Sequence, residues 1–275
     1  SAAAAKPTET YIKLDVDAPT LSSFNVAPSV DASKAHAQLV FDYAVVDDYA
    51  GATSISVTLV GPNDQWVSTS ISLGYPARKL QGQGALDFDN LAKAGEWMIY
   101  AVQVSDNAGN SRYYYSSELE AQGSQVRFTV LNKLADEAPP TLKSGQIQTP
   151  SISLSSRARG TQYGPPLAGV TVRVSDEATA GLSGAHTASA TFCPSNGGWG
   201  CFTVYGINSL RGQRDVLMRM DGELYSYYNE PGDYVLDSMS LIDFAGNVRT
   251  LISVTSGGYT DFSAYFPSTH ITVLP

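Results

Sequence analysis

Carboxylates and side-chain amides are the residues of this chain best placed to do chemistry. Asp47 and Asp48 close an alternating run that starts at Leu39, and Asp176 and Glu177 close a similar run that starts at Ala168. Each acidic pair is followed downstream by a second acidic phrase. Residues 104–110 read VSDNAGN and residues 241–247 read LIDFAGN. Calcium takes six to eight oxygen ligands, and carboxylates, Asn amides and loop carbonyls supply them. Asp47, Asp48, Asp106 and Asn110 therefore form one candidate calcium set, and Asp176, Asp243 and Asn247 form a second. A metal-free reading fits the same phrase. The Gly of Asp-x-Ala-Gly-Asn can take positive φ, and the Asp and Asn side chains can hydrogen-bond the turn backbone. Another place for calcium is the start of each half, where Asp15 and Asp17, and then Asp136 and Glu137, cluster.

Other chemistries find little support. Gly-x-Ser-x-Gly, His-Glu-x-x-His, the phosphate loop and the dinucleotide fingerprint do not occur. The three histidines, His36, His186 and His270, are scattered, whereas a triad needs a His held by a carboxylate beside a nucleophile. Asp87 and Asp89 sit too close in sequence for a glycosidase pair and read as solvated acids. The expectation is a chain without catalytic residues. Exposed rings are a further candidate. Tyr113 and Tyr115, and Tyr225 and Tyr227, lie in tyrosine runs whose members must alternate between faces of a strand, and outward rings can stack on sugars or anchor a protein. Cross-strand aromatic pairing within the sheet is the plainer use of the same residues.

The elements that must position these groups read as strands. Period-two alternation recurs with turn signals every ten or so residues, the pattern of a β-sandwich. The halves match in order. Asp17-Ala-Pro-Thr-Leu21 answers Asp136-Glu-Ala-Pro-Pro-Thr-Leu142, Gly61-Pro with Trp66 answers Cys193-Pro with Trp199, and Gly95-Glu-Trp97 answers Gly232-Asp-Tyr234. The Gly-x-aromatic step stands where sandwiches place a tyrosine corner. A repeat of domain length predicts tandem modules. The paired prolines after Asp136 stiffen a short link. The boundaries expected are an N-terminal extension over 1–14, one module over 15–134 and another over 135–275. One short helical turn is expected between Leu86 and Gly95.

Composition limits the partners. Aspartate and glutamate number 26 against 17 lysines and arginines, a net charge of −9, which disfavours nucleic acid and anionic membranes. No apolar run is long enough to span a bilayer, and the Ser1-Ala-Ala-Ala-Ala-Lys-Pro start carries no hydrophobic segment. Cys193 and Cys201 bracket a turn-rich stretch. A disulfide across a hairpin mouth is the natural reading and implies an oxidising compartment; two reduced thiols or a zinc half-site are the alternatives.

With these residues in view, the chain resembles the bacterial immunoglobulin-like (Big-type) repeats of secreted and surface proteins. Those commonly read Asp-x-x-Pro-Pro-x-Leu, then Val-x-Asp-Asp-x-Ser-Gly-Val, Gly-x-Trp/Tyr and Val-x-Asp-x-Ala-Gly-Asn. Two departures stand out: the loop Asp47-Asp-Tyr-Ala-Gly-Ala lacks the Ser, and the loop after Asp176 is longer. The resemblance implies an all-β chain of two tandem immunoglobulin-like antiparallel β-sandwiches. It also implies a secreted or cell-surface stalk or adhesin segment, which calcium held by the acidic loops or linker acids would stiffen. The partners expected are a surface protein or glycan, or neighbouring repeats. An accessory or carbohydrate-binding region of a secreted hydrolase is the alternative.

Overall fold

The computed structural model describes residues 14–156 and 164–275, so the extension expected over 1–14 lies, but for Leu14, outside the described residues. The protein is nearly all β. The chain divides into two compact units. The first runs to Asp89 and resumes over Ala94–Leu131; the second comprises Asn90–Lys93 and Asn132–Pro275.

In the first unit the strands are β1 (Thr20–Val26), β2 (Ser29–Asp31), β3 (Ala37–Val46), β4 (Ala52–Val60), β5 (Trp66–Ala77), β6 (Lys79–Phe88), β7 (Gly95–Asp106), β8 (Ser111–Tyr115) and β9 (Arg127–Leu131). One sheet has the order β1-β3-β6; the other has the order β2-β9-β7-β4-β5, with β8 also on β7. Alternation makes the strands: in β4, Ile55, Val57 and Leu59 are buried and the residues between them are not. Rings from both sheets meet in the core. Phe88 of β6 stands edge-on to Trp97 of β7 at 5.3 Å and to Phe128 of β9 at 6.0 Å, and Phe24 stacks on Phe41 at 5.2 Å. Such ring pairs add to the burial of apolar area that drives the fold.

In the second unit the strands are β10 (Thr141–Ile147), β11 (Ser151–Ser153), β12 (Leu167–Ser175), β13 (Ala185–Pro194), β14 (Phe202–Ile207), β15 (Asp215–Glu223), β16 (Gly232–Asp243), β17 (Val248–Ile252) and β18 (His270–Leu274). They form one curled sheet in the order β10-β12-β15-β14-β13-β16-β18-β11, with β17 on β16. Its core gathers Val170, Val172, Phe192, Met220, Tyr234, Leu241 and Ile271, among others.

Strand for strand, the two orders are the same. The difference is that β14 and β15 are joined through one pair, Tyr205 and Asp221, whereas β5 and β6 are not joined, which splits the first unit into two sheets. The irregularities repeat as well. The pairing of β4 with β7 slips at Ala52/Ser54 and at Thr58/Leu59, and that of β13 with β16 slips at Ala185/Thr187 and Thr191/Phe192. Bulges kink and re-aim a strand, so their recurrence sets the same path for the strand that ends in the acidic phrase. In both units the short second strand pairs parallel with the last, β2 with β9 and β11 with β18, amid otherwise antiparallel pairing.

The helical turn expected between Leu86 and Gly95 is not there. Leu86 and Phe88 complete β6, buried on its inner face, and the residues after them turn without a helix. The one α-helix among the described residues is α1 (Ser116–Ala121), anchored by buried Leu119 and closed before Gly123. The tyrosine corner is met in the second unit. The Tyr234 hydroxyl donates to the Glu230 carbonyl at 3.0 Å and accepts from the Glu230 amide at 3.1 Å.

Candidate cation sites

Each unit gathers its acids by the same local construction. A carboxylate at the end of one strand ties down the loop that follows: Asp47 Oδ2 accepts from the amides of Tyr49 (3.2 Å) and Gly51 (2.5 Å), and Asp176 Oδ2 accepts from the Gly184 amide at 2.6 Å. Gly51 and Gly184 both sit at φ +85°, a conformation that side-chain-bearing residues rarely adopt. Their carbonyls then accept from Asn107 and Phe244, at 3.0 Å in each case, which docks the acidic phrase against the loop.

Within the phrase, Asp and Asn bind one another. Asp106 Oδ1 accepts from the amides of Ala108 and Asn110, both at 2.8 Å, and Oδ2 accepts from Asn110 Nδ2 at 2.8 Å. Asp243 accepts likewise from the Asn247 amide (2.8 Å) and Nδ2 (2.7 Å). The Asn amide also donates to the first Asp of the unit, to the Asp15 carbonyl at 3.3 Å and the Asp136 carbonyl at 2.9 Å. The turn hydrogen bonding anticipated for Asp-x-Ala-Gly-Asn is therefore present in both copies.

The carboxylates that converge differ between the units. In the first, oxygens of Asp15, Asp47 and Asp48 lie within 4.8 Å of one another. Asp106 and Asn110 stand beside this group, the Asp106 carboxylate accepting from the Asn110 backbone and side-chain amides. Asp15 Oδ2 accepts from the Ala50 amide at 2.6 Å. Asp47 is buried, and its Oδ1 has no hydrogen-bond partner. Asp48 is exposed. In the second unit the group is Asp136, Asp176 and Asp243, also within 4.8 Å and all buried. Asn247 lies against it. Glu177, which follows Asp176 as Asp48 follows Asp47, instead pairs with Lys143.

The second group holds a cation of its own. Lys93, buried, donates from Nζ to the Asp136 carbonyl at 2.6 Å and to Asn247 Oδ1. Burial pulls the Lys93 ammonium below its ordinary pKa, while Asp243, Asp136 and Glu137 pull it back up. Burial raises the Asp243 carboxyl to about 6 against the hydrogen bonds from Asn247, and the charges of Asp136 and Asp176 push the same way as burial. Asp176 is raised too, first by burial; the amides of Ala178 and Gly184 oppose this, and Asp136 reinforces it.

Sequence reasoning placed Asp15 and Asp136 at a junction apart from the loops. The signal that unites them was available: each lies five residues before the Thr of Thr-Leu. Lys93 carried no signal, since Leu-Ala-Lys-Ala-Gly is a plain loop sequence.

Cys193 and Cys201 form a disulfide, with Cα atoms 4.2 Å apart, where β13 turns toward β14. Tyr113 and Tyr115 are half exposed on β8, while Tyr114 between them is buried, its hydroxyl accepting from the Leu21 amide at 3.0 Å. They belong to a longer row. Trp66 meets Tyr100 at 4.9 Å, Tyr100 meets Tyr115 at 5.8 Å, and Tyr115 meets Tyr113 at 6.2 Å, all four rings being exposed. Tyr225 and Tyr227 pair at 5.3 Å, with Tyr227 the more exposed. Trp66 begins β5, whereas Trp199, almost fully exposed, lies in the loop before β14.

No protein-family model matches the chain, and no curated protein matches it. Among solved structures, a leucine-rich repeat protein from Bacteroides thetaiotaomicron aligns with 83% of this chain and 23% of its own length, at 12% identity and a TM-score of 0.21. The chain thus spans less than a quarter of that protein, and a likeness at this TM-score carries no argument about fold or function.

Proposed function

We propose that the chain is a non-catalytic, load-bearing segment of a secreted or cell-surface bacterial protein. In this reading it is built as two tandem immunoglobulin-like β-sandwiches of the Big type, stiffened by calcium. The observation that carries it is the parallel pairing of an early strand with the last strand in each unit. When the ends of a unit are pulled apart, parallel strands slide along their length, so their hydrogen bonds are loaded together rather than one by one. The bonds concerned run from the Thr129 amide to the Pro28 carbonyl (2.9 Å) and from the Ala32 amide to the Leu131 carbonyl (2.8 Å) in the first unit. In the second they run from Thr272 to Pro150 and from Leu154 to Leu274, both at 2.9 Å. The disulfide and the acidic, weakly charged composition suit an extracytoplasmic setting. Single-molecule pulling tests the reading. Ala32→Pro and Leu154→Pro each delete one of these donors and lower the unfolding force of their own unit alone. Unchanged forces in both variants refute the load-bearing role.

A second reading rests on the row Trp66, Tyr100, Tyr115 and Tyr113. Beside it, Ser56 bonds Ser70 at 2.9 Å and Thr58 bonds Ser68 at 3.2 Å, so uncharged hydroxyls flank exposed rings on one sheet face. Sugar rings stack on aromatic faces and exchange hydrogen bonds with such hydroxyls. A glycan array with wild type and Trp66→Ala decides: glycan retention that the variant loses supports a carbohydrate-binding role, and no retention removes it.

A further inference from the structure

We propose that the two acidic groups are served by different cations: the Lys93 ammonium is the resident cation of the second, and the first is a site for one hard divalent ion of calcium's class. The inference deepens the calcium part of the proposed function and rests on it.

The contrast is drawn by equivalent residues. Asp15, Asp47, Asp106 and Asn110 correspond to Asp136, Asp176, Asp243 and Asn247 by position in their units and by hydrogen bonding. In the second unit the Asn side-chain oxygen and the first Asp carbonyl, two oxygens suited to a cation, are both taken by Lys93 Nζ. Glu177 is turned away to Lys143. In the first unit, the Asp15 and Asp47 carboxylates accept from backbone amides, those of Asp17, Ala50, Tyr49 and Gly51. Asp48 supplies a third carboxylate where the second unit's Glu177 does not. One buried oxygen, Asp47 Oδ1, has no partner. A buried carboxylate oxygen is seldom left unmatched, because its desolvation goes uncompensated. Two oxygens bound to one calcium ion at about 2.4 Å are at most about 4.8 Å apart. The three carboxylates meet that limit. An all-oxygen set with three negative charges selects calcium over softer metals.

The test is a calcium titration of the whole chain by calorimetry, with hydrogen exchange read separately on peptides of β7 and β16. The expected result is one ion per chain, with calcium raising protection of β7 and leaving β16 unchanged. Asp47→Asn weakens binding by about tenfold or more. Asp243→Asn leaves it intact. Lys93→Met opens the second group, so the count rises to two and calcium then protects β16. Exchange in the untouched unit of each variant checks folding, and the wild-type titration stands whatever the variants do. Protection of β16 in the wild type, or two ions per wild-type chain, overturns the assignment of Lys93 while leaving a calcium-stiffened segment intact. Absence of binding overturns both.

Discussion

Replacing Lys93 by Met is the sharpest perturbation of the second unit. Met keeps most of the unbranched stem and removes only the ammonium, so packing changes little. What changes is the electrostatics among three carboxylates that are each at most 1% exposed. Removing one partner from a buried ionic group costs about 3–5 kcal/mol, because the remaining charges are left uncompensated. Asn247 Oδ1 loses its donor as well, and the Asp136 carbonyl keeps only the Asn247 amide, which belongs to the same penalty. The second unit should therefore lose about 3–5 kcal/mol at pH 7, and the first unit about nothing. The loss must depend on pH. Without the ammonium the Asp243 pKa rises further from its value of about 6, so the variant takes up a proton that the wild type does not hold at pH 7. Between pH 7 and pH 6 the loss should shrink by about 1 kcal/mol, because the wild-type Asp243 also begins to bind its proton there. Denaturant-dependent hydrogen exchange on β16, with β7 as internal control, measures both quantities. A loss below about 1 kcal/mol at pH 7, or a loss that does not move with pH, refutes the role given to Lys93.

The wild type carries its own pH signature. Asp243 has a folded pKa of about 6, above its ordinary value of 3.8, so the folded state binds the extra proton. Stability of the second unit from this group should rise as pH falls from about 6 to about 4, by up to about 3 kcal/mol. Urea midpoints at pH 7 and pH 5 that are equal, or that move the other way, contradict this. Reducing the Cys193–Cys201 disulfide should destabilise the second unit only, by about 2–3 kcal/mol, since the loop it closes is short. Thermal melts with and without reductant read that difference. Tyr234→Phe removes the hydroxyl that bonds both backbone groups of Glu230 and should cost about 1–2 kcal/mol in the second unit, as measured by urea unfolding.

Much of the fold was legible because strands declare themselves by alternation and modules by recurrence. The phrase ending in Ala-Gly-Asn marks the end of β7 and of β16, and the Gly-x-aromatic step marks their start. The cysteine spacing pointed to the hairpin that the disulfide closes. What the sequence left open was decided by long-range packing. Leu86 to Gly95 has the composition of a helical turn, yet Leu86 and Phe88 are drawn into β6 by the core. The same stretch contains Lys93, which bonds Asp136 and Asn247 far along the chain, and no local pattern points to them. Asp106 and Asn110 were grouped with Asp47 and Asp48 as one ligand set. Their turn bonds the Asp106 carboxylate to the Asn110 side-chain amide nitrogen, and the carboxylate that converges on Asp47 and Asp48 is that of Asp15, supplied by the chain just before β1. The aromatic row escaped notice because Trp66 and Tyr100 reach Tyr115 only across neighbouring strands.

Whether the two units each resist force is read by pulling the chain from its two ends. Two discrete unfolding events are expected, one per unit. The event from the second unit should lengthen on reduction, because the disulfide hides a segment with a sequence separation of 8 residues. At roughly 3.6 Å per extended residue, less the 4.2 Å that the disulfide already spans between the Cα atoms, the gain is about 25 Å. The event from the first unit should keep its length. Continuous release without discrete events, or a single event spanning the whole chain, rules out two units that each resist force.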